Sequence, residues 1–202
     1  MTMYEESFRD NSTKPSGKLS DICVYSTKKI PVSELSHTNY ISTENMLANK
    51  AGATDAATLP TAEQVTRFSP GDTLISNIRP YFKKILYCYR QGGCSNDVLC
   101  LSPVNETLSA YLFCTVYVDH FFDYMVAGSK GTKMPRGDKK QILLYPIHVP
   151  TAVEIEDFNK TALPILTKIS LNRDENIRLI ATRDALLPRL MSGEIDVSAV
   201  QL

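Results

Sequence analysis

The stretch from Ser69 to Pro103 constrains the fold of this chain most, because its apolar residues come in short blocks of strand length. A Gly92–Gly93 pair within it is typical of a turn. Blocks with a period near two and with Gly or Pro at their boundaries indicate β-strands rather than a helix. The sequence therefore predicts a central sheet built from three such runs: Thr73–Ile78, Lys84–Tyr89 and Val98–Leu101.

Polar residues of a particular chemistry lie between these predicted strands, at and after the turn-like Arg79–Pro80–Tyr81 segment. Amides and guanidinium groups can pair bidentately with adenine or guanine, and ammonium groups neutralise phosphates. This mixture is therefore the one that proteins use to bind nucleic acids. Its members are Asn77, Arg79, Tyr81, Lys83, Lys84, Ser95 and Asn96.

A second basic segment runs from Lys130 to Lys140 and contains only one acidic residue, Asp138. A run of charge is usually a solvated surface. Here Gly128, Gly131 and Pro135 interrupt the run, which predicts a loop that can approach a ligand closely. The cations of this segment are Lys130, Lys133, Arg136, Lys139 and Lys140.

The rest of the first 150 residues predicts a mixture of strands, loops and one helix. Leu108–Met125 is strongly apolar and aromatic, and we interpret it as one buried helix packed on the sheet. Ala48–Thr61 is small and polar, as expected of a surface loop. Met1–Gly17 is polar and is predicted to be partly disordered. The further predicted strands are Ile30–Val32, Tyr40–Ser42 and Gln141–Val149.

The composition changes after Pro150, and no glycine occurs from Thr151 to Met191. Apolar residues there recur at alternating steps of three and four, which predicts a long helix with a heptad seam. Thr151 is a candidate N-cap, Pro164 should kink or restart the helix, and Gly193 is a natural stop. Four apolar residues of the seam would need a partner to cover them: Ile165, Ile169, Leu179 and Leu186.

Composition narrows the possible functions of the chain. Its 202 residues carry 22 basic and 22 acidic side chains, which argues against indiscriminate nucleic-acid binding but not against a local basic face. Five cysteines without a Cys-x-x-Cys pair predict core thiols in a reducing cytoplasm rather than disulfides or zinc ligands. We expect no metal, no cofactor, no membrane span and no signal peptide.

No motif for phosphate binding, methyl transfer or dinucleotide binding occurs in the chain. The rival enzymatic interpretation is a metal-dependent nuclease, with Asp72 and Asp97 on neighbouring strands and Lys83 and Lys84 between them. A turn cap explains Asp72 more simply, because it follows Gly71 at the start of a strand.

The order of three motifs resembles the target-recognition domain of the specificity subunit of type I restriction–modification enzymes. These are the strand Gly71–Ile75 with its basic hairpin, the loop Gly128–Arg136, and the ending Leu186–Ile195. The short opening Leu19–Ile22 is also similar to that of the family. The resemblance covers most of the chain.

This resemblance implies an α+β fold with a twisted mixed sheet, a DNA-recognition domain over residues 1–150 and a coiled-coil-like helical arm over residues 151–202. It implies a non-catalytic subunit that binds double-stranded DNA and directs an adenine methyltransferase subunit and a translocating endonuclease subunit. Full-length members have two recognition domains and two such helices, so the chain is expected to be a half-subunit. A second copy of itself, or another half-subunit, would then supply the missing half.

The candidate residues divide by chemistry. Lys83, Lys84, Lys130, Lys139 and Lys140 are expected to neutralise phosphates, and Tyr81 to pack on a sugar or a displaced base. Asn77, Arg79, Asn96, Lys133 and Arg136 are the candidates for base edges. A second function class stays open at this point, namely a protein-interaction scaffold derived from such a subunit that no longer binds DNA.

Overall fold

The computed structural model describes residues 15–131 and 133–195. Within those ranges the strands are β1 (Gly17–Lys18), β2 (Cys23–Tyr25), β3 (Lys29–Pro31), β4 (Tyr40–Ile41), β5 (Gln64–Phe68), β6 (Thr73–Ser76), β7 (Ile85–Tyr87), β8 (Gly92–Cys94), β9 (Val98–Pro103) and β10 (Pro146–Ile147). The α-helices are α1 (Ser109–Tyr117), α2 (Asp119–Ala127), α3 (Lys139–Leu143) and α4 (Ala152–Met191). Short 3₁₀ helices cover Leu19–Asp21, Val32–Glu34, Pro80–Phe82 and Glu106–Leu108. The chain divides into two compact units between Ala162 and Leu163.

Two four-stranded sheets form the centre of the first unit. One has the order β2-β9-β6-β7 and is antiparallel throughout. The other has the order β3-β5-β8-β4, and its β4–β8 pair is parallel. A small third sheet pairs β1 with β10. Sheets of this kind with separate helices confirm the predicted α+β class, and β6, β7 and β9 lie in one sheet, as predicted for the three central runs.

The core of the first unit is apolar and includes most of the cysteines. One buried cluster joins residues of both four-stranded sheets, among them Phe68, Leu74 and Cys94. Tyr111, Phe121 and Met125 of α1 and α2 are fully buried. All five cysteines are free thiols, as predicted, and burial raises the pKa of Cys94 to about 12.

The prediction of a turn at Gly92–Gly93 was wrong, because both residues belong to β8, an inner strand of its sheet. The backbone N–H of Gly93 donates to the carbonyl of Asn39 at 3.0 Å. A side chain at Gly92 would overlap that carbonyl and the ring of Phe68. The glycines thus permit a close approach of neighbouring chain segments, which a strand glycine often indicates.

Two further predictions in this unit need correction. Leu108–Met125 is not one helix, because Val118 is extended (ψ 151°) and separates α1 from α2. Val118 and the nearby Thr115 and Val116 are β-branched and favour helix weakly. The side chain of Asp119, the first residue of α2, forms ion pairs with two lysines. Gln141–Val149 is not one strand, because Asp138 accepts hydrogen bonds from the backbone of Lys140 and Gln141 and so begins α3. Only β10 remains of that strand.

Helix α4 begins with a capping box. The Thr151 N–H donates to Glu154 Oε2 at 2.7 Å, and the Glu154 N–H donates to Thr151 Oγ1 at 3.3 Å. The predicted cap and the predicted stop near Gly193, which has φ +72°, are confirmed. A restart at Pro164 was wrong, since one helix runs through it. A proline removes a single backbone hydrogen bond, and the residues around this one favour helix.

The segment Met1–Gly17, which was predicted to be partly disordered, lies mostly outside the described residues. Gly17, at its end, is described and belongs to β1. The Ala48–Thr61 segment is an irregular loop, as predicted, apart from an isolated bridge between Met46 and Ala53. None of the helices in the described ranges combines the length and the apolar character that crossing a bilayer requires.

Candidate nucleic-acid interface

Three segments that are distant in sequence meet at one end of the β2-β9-β6-β7 sheet. The Asn77 N–H, just after β6, donates to the carbonyl of Asp97, just before β9, at 2.8 Å. The Gly137 N–H of the basic loop donates to the Asn77 carbonyl at 3.1 Å, and the Arg79 N–H donates to the Pro135 carbonyl at 2.8 Å. Backbone hydrogen bonds therefore join both basic segments of the sequence into one surface.

The basic loop is a small closed hairpin. Lys130 and Arg136 exchange two backbone hydrogen bonds of 3.0 Å, and Gly131 between them has φ +97°. Lys130 Nζ lies 3.0 Å from Asp138 Oδ2. The hydrogen bond from Lys130 is the main cause of a lowered pKa of Asp138, and hydrogen bonds from the Gln141 and Lys140 N–H groups lower this pKa further. The backbone hydrogen bonds between Lys130 and Arg136 therefore fix the base of the loop, and its cationic side chains are exposed to solvent.

Some of the exposed cations of this loop form ion pairs with acidic residues. Arg136 Nη2 lies 3.0 Å from Asp97 Oδ1, which links the loop to the turn before β9. Lys133 is exposed within the loop, and Lys139 and Lys140 are exposed at the first turn of α3. Asn96 is exposed beside Asp97. All these side chains can be reached by a large ligand.

The turn after β6 has an unusual backbone. Arg79 and Lys83 flank the 3₁₀ helix Pro80–Phe82, and both adopt left-handed conformations, with φ 49° and 51°. Pro80 at the first helical position has its φ fixed for this geometry. Tyr81 is 47% exposed, and its ring lies 4.8 Å from the ring of Phe82. The turn thus presents an aromatic pair next to cations.

A loop that the sequence did not single out supports this turn. The Asn49 N–H donates to the Phe82 carbonyl at 2.8 Å, and the Lys50 N–H donates to the Lys83 carbonyl at 2.9 Å. Asn49 and Lys50 are also left-handed, with φ 55° and 62°. Within the described residues, every non-glycine with positive φ therefore belongs to one of these two joined turns. Strained conformations of this kind concentrate at ligand sites.

Lys50 is a residue beside this turn that the sequence did not single out. Its Nζ lies 2.6 Å from Asp119 Oδ1 and 4.7 Å from the centre of the Tyr117 ring. Lys83 Nζ lies 3.0 Å from the other oxygen of the same carboxylate. The hydrogen bonds from Lys50 and Lys83 lower the pKa of Asp119 to about 2. An Asn–Lys pair before Gly52 is a turn signal, but nothing in its spacing indicates this ion pair.

Two of the predicted site residues are engaged within the fold. Asn77 is only 6% exposed, and its Oδ1 has no hydrogen-bond partner among the described residues. Lys84 Nζ donates to the Thr43 carbonyl at 2.6 Å. Arg79 is half-buried, although its backbone holds the basic loop. The exposed members of the predicted set are therefore Tyr81, Asn96, Lys130, Lys133, Arg136, Lys139 and Lys140.

The carboxylates proposed for a nuclease site are far apart. Asp72 precedes the Thr73↔Leu101 pair and Asp97 precedes the Val98↔Ser76 pair, so they lie at opposite ends of the antiparallel β6–β9 ladder. Five residues of strand separate them by about 17 Å. Asp72 caps a turn instead, accepting from the Ser69 N–H at 2.8 Å. Within the described ranges, no group of three or more His, Cys, Asp or Glu residues could hold a metal.

In the second unit, the four seam residues named from the sequence, Ile165, Ile169, Leu179 and Leu186, are exposed on α4. They share this exposure with further apolar residues of the same helix, Leu163, Leu171, Ile177, Ile180, Leu187, Leu190 and Met191. Such an amount of exposed apolar surface on one helix indicates a surface for association.

Comparison with solved structures gives similarity to chains of type I restriction–modification systems, among them two specificity subunits. The HsdS subunit from Thermoanaerobacter tengcongensis matches 99% of this chain over 54% of its own, with a TM-score of 0.56 and 14% identity. The S subunit from M. genitalium matches 86% of this chain over 44% of its own, with a TM-score of 0.54 and 15% identity.

A third chain comes from a study of complex assembly and conformational transition of the type I restriction–modification system. It matches 94% of this chain over 52% of its own, with a TM-score of 0.55 and 14% identity. No protein-family model matches the sequence, and no curated protein matches it. The fold is therefore that of a type I specificity subunit, which confirms the resemblance seen in the sequence. The chain spans about half the length of the solved structures that it matches.

Proposed function

We propose that this chain is a non-catalytic, sequence-specific DNA-recognition subunit of a type I restriction–modification system. The observation that carries the proposal is the convergence of residues 77–83, 95–97, 129–131 and 133–140 on one surface with many exposed cations. Because the net charge of the chain is zero, a local surface rather than a general positive field would bind the phosphates. The fold shared with type I S subunits supports the same function.

The residues of this surface divide into two proposed roles. Lys83, Lys130, Lys139 and Lys140 neutralise phosphates and set the register of the domain on the duplex. Arg79, Asn96, Lys133 and Arg136 contact base edges, and Tyr81 packs on a sugar or a displaced base. Asn77 and Lys84 contribute by holding the surface together, since Asn77 is buried and Lys84 binds the Thr43 carbonyl.

The proposed partners are double-stranded DNA, an adenine methyltransferase subunit and a translocating endonuclease subunit, which supply the chemistry that this chain lacks. The complex would act in the cytoplasm. The exposed apolar residues of α4 support a further partner, a second copy of the chain or another half-subunit. A straight helix from Ala152 to Leu190 would span about 58 Å. Paired helices of that length would separate two half-sites by one to two turns of DNA.

The test is selection of binding sites from random duplexes with the chain reconstituted with the methyltransferase subunit. We expect a target with two inverted half-sites and an unread spacer. Arg136→Ala should cost roughly 1–3 kcal/mol and relax the preference at one base position. Lys140→Ala should weaken binding to all sequences alike and reduce the salt slope by about one.

Arg189→Ala is the matched control, because Arg189 is also an exposed arginine paired with a carboxylate, at 2.9 Å from Glu194. It should leave DNA binding unchanged. Failure to select any sequence, together with retained binding to the methyltransferase, would favour the alternative of a scaffold that no longer binds DNA. If the purified chain cleaves DNA in a metal-dependent reaction, and Asp72→Asn abolishes that cleavage, the alternative function of a metal-dependent nuclease would be favoured.

A further inference from the structure

The proposed interface contains its own anions. Asp97 lies 3.0 Å from Arg136, and Asp119 lies 2.6 and 3.0 Å from Lys50 and Lys83. The Asp97 and Asp119 side chains are 41% and 61% exposed, so they share the surface on which DNA would lie. Each carboxylate is therefore accessible to solvent while it neutralises a cation of this surface.

The third carboxylate of this surface has a different use. Asp138 pairs with Lys130, but its other oxygen accepts hydrogen bonds from the Lys140 and Gln141 N–H groups and caps α3. Removing its charge would disturb the start of a helix. The side-chain contacts that the structure gives for Asp97 and Asp119 are to cations of the interface. The charges of these two residues can therefore be removed without removing a helix cap of the kind that Asp138 provides.

The geometry at Asp119 resembles that of a bound phosphate. Two ammonium groups, those of Lys50 and Lys83, contact separate oxygens of one carboxylate. The hydrogen bonds from the two lysines favour the charged form of the carboxylate and lower its pKa to about 2. The Lys50 and Lys83 side chains are only 16% and 29% exposed, so the ion pair is partly buried on the lysine side, and Asp119 also lies at the start of α2. A polyanion that approaches the lysines must displace the carboxylate or be repelled by it.

We propose that Asp97 and Asp119 are specificity-determining residues that oppose binding to non-cognate DNA. Asp119 occupies a position that a phosphate would otherwise take at Lys83, and Asp97 occupies one that a base edge would take at Arg136. Both carboxylates repel any duplex whose base contacts do not offset this repulsion. A repulsive element of this kind increases discrimination without adding contacts to the correct target. The inference rests on the proposed DNA-recognition function and deepens it, because it assigns a role to the carboxylates that lie among the cations of the proposed interface.

The test compares Asp97→Asn and Asp119→Asn with Asp157→Asn, in the complex with the methyltransferase subunit. Asp157 is a matched control, since it is an exposed carboxylate 2.8 Å from a lysine, Lys160. It lies near the other end of the sheet, where Asn159 donates to the Thr107 carbonyl. Affinities are measured for a random-sequence duplex and for the selected target over a series of salt concentrations.

We expect each interface variant to bind the random duplex roughly three to ten times more tightly at low salt, with a steeper salt slope. The selected target should gain less, so the specificity ratio falls. Asp119→Glu, which keeps the charge, should keep the wild-type ratio, and Asp157→Asn should keep both affinities. Gains that are equal for both duplexes, or no larger than those of Asp157→Asn, would overturn the inference.

The experiment separates this inference from the function on which it rests. If the wild-type complex discriminates its target and the Asn variants discriminate equally well, the inference fails and the proposed function stands. If no variant and no wild-type complex binds DNA, both fail. Circular dichroism of each variant checks the fold, because Asp119 is the first residue of α2.

Discussion

Replacing Phe158 of α4 by alanine should destabilise the whole first unit and not only the helix. Phe158 is 5% exposed, and its ring packs edge to face on Tyr111 with centroids 5.8 Å apart. Ile155 and Ala162 are buried on the same turns of α4. The first turns of the helix therefore complete the core of the first unit, which extends to Ala162.

The size of the effect follows from the burial of the ring. Truncation of a buried Phe to Ala costs about 3–5 kcal/mol, through lost transfer free energy and the cavity left behind. Domains are stable by only about 5–15 kcal/mol, so the loss is a large fraction of the total. For a chain of this length each kcal/mol corresponds to about 2–4 °C, which gives a decrease in Tm of roughly 6–20 °C.

The assay is thermal and urea unfolding of the full chain, followed by tyrosine fluorescence and circular dichroism. Val153→Ala on the same helix is the control, because Val153 is 69% exposed and should change the free energy of unfolding by less than about 0.5 kcal/mol. A Phe158→Ala variant as stable as the control would refute the assignment of these turns to the first unit. In the same series, a chain ending at Ala162 should unfold cooperatively and one ending at Pro150 should not.

Two further outcomes test other parts of the structure. Gly92→Ala should cost about 3 kcal/mol or more, because its Cβ would overlap the Asn39 carbonyl inside a sheet; an unchanged Tm would instead support the turn that the sequence predicted. The double change Ile169→Glu and Leu179→Glu should give folded monomers, whereas the unmodified chain should sediment as a dimer. Sedimentation of the unmodified chain as a monomer at tens of micromolar, without a shift on adding the methyltransferase, would contradict the proposed dimer.

The elements that the sequence predicted well are those specified by local pattern. The central strands at Thr73–Ser76, Ile85–Tyr87 and Val98–Pro103 agree with the period of their apolar residues. The capping box of α4 also follows from neighbouring residues, Thr151 and Glu154. Gly92 was predicted wrongly because a glycine that permits a turn and a glycine that permits a close approach look the same in sequence.

The two basic segments of the candidate site could be named from the sequence, but the contacts between them could not. The two basic segments could be named from composition, whereas their union depends on Asn77, whose backbone binds Asp97 on one side and Gly137 on the other. No local pattern encodes these long-range hydrogen bonds. For the same reason the sequence could not distinguish Lys84, which binds a carbonyl within the fold, from Lys140, which is exposed.

Lys50 shows why contacts between residues distant in sequence matter for the proposed function. In the sequence it is a single cation in a small, polar loop, whereas in the structure it shares the Asp119 carboxylate with Lys83. A tally of basic residues would count both lysines as free to bind phosphate. The pairing changes that expectation, because a cation that already has an anionic partner contributes to DNA affinity only after the partner is displaced. The strength and the selectivity of the surface therefore depend on where its carboxylates lie as much as on where its cations lie.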